Sequence, residues 1–112
     1  MTIEKVDALI KAVQDGIGWY EWLPHDDALP EEWILTARDA YGGSLDAAKK
    51  LHDILLPGWG WTLNATSGTS GKYAQDATVD VINPFRVFGA NAVTPARAWL
   101  LAILRAYRAE LP

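Results

Sequence analysis

PGWGWTLNATSGTSGKYAQDATVDVINP, residues 57–84, is the stretch on which the fold turns. Its first half alternates: Trp59, Trp61, Leu63 and Ala65 fall on one side of an extended chain, and Gly60, Thr62 and Asn64 on the other. Strict period-two patterning predicts a half-buried strand. Thr66-Ser67-Gly68-Thr69-Ser70-Gly71 reads as a turn-rich loop. A second strand is expected over about Tyr73–Ile82, with Tyr73, Ala77, Val79 and Val81 on one face with Gln75, and Asp76, Thr78 and Asp80 on the other with Ile82. Two alternating segments joined by a short polar loop predict an antiparallel hairpin. Asn83-Pro84 closes it, and Phe85–Phe88 is a candidate third, edge strand, because Pro84 cannot donate to a ladder.

Outward from the hairpin the period changes to that of a helix. Ile3, Val6, Leu9, Ile10 and Val13 form an apolar stripe behind a Thr2 cap, predicting a helix over Ile3–Asp15 that stops at Gly16 and Gly18. Pro30 opens a short helix, about Glu31–Ala40, with Trp33, Ile34 and Ala37 inward. Gly42-Gly43 breaks the chain, Ser44 caps a helix over about Leu45–Leu56, and Pro57-Gly58 stops it. Thr94 and Pro95 then supply an N-cap and a pre-organised first turn for a last helix, about Pro95–Glu110. Leu100, Ile103, Leu104, Tyr107 and Leu111 make its core stripe, with Arg97, Leu101, Arg105 and Arg108 as an opposite stripe. The expected fold is α+β: one domain, residues 1–112, with a small antiparallel sheet of two or three strands packed with three main helices in α-α-β-β-α order.

At 112 residues and without cysteine, the chain has no disulfide framework, thiolate zinc site or Cys nucleophile. No secretory n-region follows Met1. Arginines interrupt the one long apolar helix, where a membrane span needs about 20 predominantly apolar residues. The expectation is a soluble protein of the cytoplasm. Net charge is −4, unevenly spread. Residues 1–56 hold eleven acids and five bases; the rest holds three acids and five bases. That balance argues against direct nucleic-acid binding, which rests on a basic surface. It also allows head-to-tail self-association.

Three further segments, taken in order, resemble a known family. They are Tyr41-Gly42-Gly43-Ser44-Leu45-Asp46-Ala47-Ala48 leading into Leu51, then Pro57-Gly58-Trp59-Gly60-Trp61, then Thr94-Pro95-Ala96-Arg97-Ala98-Trp99-Leu100 with Leu104-Arg105-Ala106. Together they resemble small phage and prophage proteins of the "phage ABA sandwich" type, over roughly residues 41–111. Leu101, Ala102 and Ile103 stand where that family often carries cysteine and alanine, and an insert at about 17–36 is particular to this chain. The resemblance implies a phage-encoded setting in a bacterial host and a small sheet flanked by helices. It brings no activity or catalytic residue to transfer.

No catalytic constellation emerges from the residues. Gly68-Thr69-Ser70-Gly71-Lys72 lacks the phosphate-loop spacing and precedes a strand, not a helix. His52 and Asp53 are adjacent on a helix and do not face each other, so His52 reads as a surface or satisfied histidine. Asp76 and Asp80 lie about 13 Å apart on one strand face, too far for a glycosidase pair. His25-Asp26-Asp27 with Glu31 or Glu32 is a conceivable metal site, but a solvated acidic loop is the favoured reading.

The acidic, Trp-rich insert departs most from an ordinary domain. Six tryptophans are many for this length, and between Glu21 and Glu32 there are five acids and no Lys or Arg. Trp19, Tyr20, Trp22, His25, Asp26, Asp27 and Trp33 are the candidate binding residues, aromatic anchors with acids to select a basic partner. Arg97, Leu101, Arg105 and Arg108 are the candidate self-association face of a homo-oligomer. The expected function is a non-catalytic, phage-encoded accessory protein that binds a host protein or a small anionic ligand, with counter-defence as a candidate role and with no cofactor and no metal. Two alternatives stand beside it: a small metal-dependent hydrolase using His25, Asp26 and Asp27, and a virion or assembly component.

Overall fold

The computed structural model describes residues 3–15, 31–65, 77–83, 86–92 and 94–110. The fold is α+β, as the alternating and helical periods predict. Its elements run α1 (Ile3–Asp15), α2 (Glu31–Tyr41), α3 (Leu45–Leu55), β1 (Gly60–Ala65), β2 (Ala77–Asn83), β3 (Arg86–Ala92) and α4 (Pro95–Glu110). Among the described residues the order is therefore three helices, three strands and a helix. The segment expected to be a short helix is as long as α3, at 11 residues each. The strands form one antiparallel meander, β1-β2-β3. Trp61 pairs with Val81 and Val81 with Phe88; Leu63 pairs with Val79 and Val79 with Ala90.

Local chemistry sets the boundaries. The Ser44 hydroxyl accepts from the Ala47 amide at 3.1 Å, and the Thr94 hydroxyl from the Arg97 amide at 3.2 Å, so both expected caps are in place. After α3 the chain reverses through Leu56-Pro57-Gly58-Trp59. The Trp59 amide donates to the Leu56 carbonyl at 3.1 Å, and Gly58 takes φ +84°. Proline at the second position and a left-handed glycine at the third form the residue pattern of a type II turn.

β3 is longer than the expected edge strand. It runs to Ala92 through Gly89, Ala90 and Asn91, none of them good strand formers. Pairing with β2 along its whole length, and packing of Ala90 and Phe88 onto the core, hold it extended.

α4 lies at the centre. It packs on β2 and β3 on one side and on α1, α2 and α3 on the other. Ala96, Ala98, Leu100, Ala102, Ile103, Leu104 and Ala106 are fully enclosed, and Trp99 and Leu101 nearly so. A helix that is apolar around most of its circumference belongs inside a protein. This corrects the reading of α4 as a two-faced helix. Its alanines let the flanking layers approach, and Leu101 is core rather than surface, at 2% exposure. Among the described residues the helices lie on one face of the sheet, whereas the resemblance implies helices flanking it. The other face carries Thr62, Thr78, Asp80, Val87, Gly89 and Asn91 and is exposed or half-exposed. The Thr2 cap, the Gly16 and Gly18 stop, the part of the Trp-rich insert before residue 31, the 66–71 loop and the Tyr73–Asp76 part of the second strand lie outside the described residues.

Candidate functional site

His52 is the one buried polar side chain among the described residues, at 1% exposure. It projects from the last turn of α3 toward α4. The Trp99 indole N–H donates to His52 Nδ1 at 3.2 Å, and His52 Nε2 lies 2.9 Å from the Trp59 carbonyl. An indole only donates and a carbonyl only accepts. The ring is therefore the neutral tautomer with its proton on Nε2, donating to Trp59. Both nitrogens are engaged, so the satisfied-histidine reading is the one the geometry supports. The Pro57-Gly58 turn supplies the Trp59 carbonyl, and α4 supplies the indole from 47 residues away.

Around this pair lies an aromatic cluster. The Trp61 ring stacks on Trp99 with centroids 4.3 Å apart and planes 35° inclined. Trp59 meets Phe88 at 6.1 Å, and His52 meets Trp99 at 5.8 Å. Such pairs contribute about 0.5–1.5 kcal/mol each beyond area burial. Trp61 remains 41% exposed, because β1 is a sheet edge among the described strands and α4 lies mainly under β2 and β3. The alternating pattern put Trp61 on the inward face correctly; only the position of α4 under the sheet reveals its exposure.

The four residues expected to form a docking stripe do not form one exposed face. The Arg97 guanidinium lies over the Tyr41 ring, 4.1 Å from its centroid, and its Nε is shut from solvent with no hydrogen-bond partner among the described residues. Leu101 is buried. Arg105 donates to the Gly89 carbonyl on β3 at 2.7 Å. Arg108 grips the Asp7 carboxylate of α1 at 2.9 and 3.4 Å, and that hydrogen bonding and charge push its already high pKa further up. Three arginines thus reach three different elements of the same chain. Leu101, Arg97 and Arg105 do line a surface groove that also takes in Gln14 and Asn91.

Of the candidate binding residues, Trp33 is described. It is half-buried against the core and lines a hollow of about 270 Å³ with Thr36, Lys50 and Ile54. Trp19, Tyr20, Trp22, His25, Asp26 and Asp27 lie outside the described residues. Among those described, no three His, Cys, Asp or Glu side chains gather as metal ligands, and no helix is long and apolar enough to cross a membrane. Comparison with protein-family models, curated proteins and solved structures finds no match to this chain.

Proposed function

We propose that this chain is a non-catalytic accessory protein, encoded by a phage and acting in the host cytoplasm by binding. Of its two expected partners, a host protein or a small anionic ligand, the geometry favours the anionic ligand. The observation that carries this reading is the contrast between His52 and the arginines of α4. His52 is enclosed, with a donor on one nitrogen and an acceptor on the other, and is committed to structure. Arg97 and Arg105 border an open groove, and among the described residues neither has a carboxylate partner. A chain of net charge −4 that keeps two such cations at a concavity is suited to hold an anion there. A role in counter-defence fits the phage-like order of motifs in residues 41–111.

Native mass spectrometry of the protein purified from a host extract tests the reading. The expected spectrum shows a mass above that of the bare chain, which disappears on mild activation as a non-covalent ligand or partner leaves. A bare chain alone, or steady turnover of a metal-supplemented hydrolase substrate that is abolished in His25→Ala, contradicts it.

A further inference from the structure

The geometry points to one end of that groove as an oxyanion site, with Arg105, Asn91 and Gln14 as its donors; this rests on the binding reading above and names its ligand class. Two adjoining hollows of about 390 and 270 Å³ lie between the C-terminal end of α1, the edge of β3 and α4, and they share Gln14, Asn91 and Leu101. The larger is of ordinary size for a small-molecule site. Their two ends differ in charge. Asp15 and Arg97 line the smaller hollow, whereas the larger, among the described residues, is lined by Arg105 and by no acid.

The hydrogen bonds of the larger hollow fix which atoms it offers. Arg105 commits one terminal nitrogen to the Gly89 carbonyl at 2.7 Å. That bond holds the side chain across the β3 edge and, among the described residues, leaves the other N–H groups of the fork without a hydrogen-bond partner. Thr78 donates its hydroxyl to Asn91 Oδ1 at 2.7 Å. The acceptor end of that amide is therefore occupied, and its Nδ2 protons remain to be given. Gln14 adds a second amide, from α1. A guanidinium fork and amide donors match a phosphate or carboxylate group, each of which accepts two or more charge-assisted hydrogen bonds; the Asp80 carboxylate stands beside Gly89 on the sheet face, outside the described lining. At the other end Asp15 stands in the same lining as Arg97 and offsets its charge, so the Arg105 end is the more positive and favours ligands whose anionic group is at one terminus.

Titration of the full chain followed by ¹H–¹⁵N NMR, with ionic strength held constant by sodium chloride, tests the site. The probes are inorganic phosphate and acetate, one for each source of the oxyanion. The expected result is a saturable shift of the Asn91 and Gln14 side-chain amides and of Arg105 Nε–H with at least one probe. A response to phosphate alone assigns a phosphoryl ligand, and a response to acetate as strong as to phosphate assigns a carboxylate. Asn91→Asp keeps an acceptor for Thr78 and replaces the amide donor by a carboxylate. It is expected to weaken the interaction at least about tenfold with the unfolding midpoint unchanged. Shifts no larger than sodium chloride produces, or equal affinity in Asn91→Asp, overturn the site. If that happens while the mass spectrum still shows a retained partner, the groove assignment fails and the binding reading survives. If the chain is bare in extract yet binds a probe tightly, the site stands and the cellular reading fails.

Discussion

His52 shows how a residue with catalytic chemistry becomes a structural one. A buried imidazole must satisfy two nitrogens, and a donor-only indole and an acceptor-only carbonyl accomplish this in a single tautomer. Replacing it by leucine keeps the volume roughly constant and leaves the Trp99 N–H and the Trp59 carbonyl without partners. Each unsatisfied buried group costs about 1–3 kcal/mol. His52→Leu is expected to lower the unfolding free energy by about 2–4 kcal/mol in urea titration, and ¹⁵N shifts in the native protein should show Nδ1 bare and Nε2 protonated. A proton on Nδ1, or a neutral substitution, contradicts the assignment. None of this network was legible in the sequence beyond the expectation of a surface or satisfied histidine. Its members are 7 and 47 residues from His52, and no local spacing joins them.

Among the elements, those defined by their own residues were legible and those defined by neighbours were not. α3 and α4 announce themselves through Ser44 and Thr94-Pro95, and β1 and β2 through strict alternation. β3 does not, because Gly89 and Asn91 enter a strand only when β2 offers a ladder. Gly89 also sits where a side chain is crowded: an added Cβ would lie 2.5 Å from Asp80 Oδ1. The arginines of α4 misled for a related reason. Long cationic side chains lay their stems over apolar surface and carry the charge outward, so an arginine on a helix does not mark a solvent face. The turn between α3 and β1 is a further case of local legibility, since Pro57-Gly58 states both the stop and the left-handed residue. Nothing lies within 4 Å of a Cβ added at Gly58, so the cost of Gly58→Ala is conformational. It is expected to be about 1–2 kcal/mol by thermal unfolding, with a weakened His52–Trp59 bond visible in the His52 ring ¹⁵N shifts. An unchanged melting temperature would show that the turn relaxes without strain.

At the scale of the molecule, the central claim is that α4 is an enclosed core helix with the sheet on one side and three helices on the other. The proposed anion site is then the groove where its few polar residues emerge. The candidate site was half legible: Arg97, Leu101 and Arg105 were singled out together, but as a self-association face. Their partners Gln14 and Asn91 come from α1 and β3, which only the folded chain brings beside α4. Urea unfolding of Leu101→Ala tests the central claim most directly. An enclosed Leu101 predicts a loss of about 2–5 kcal/mol. A loss within about 0.5 kcal/mol, the range of surface substitutions, would place Leu101 on an outer face and contradict the enclosed helix.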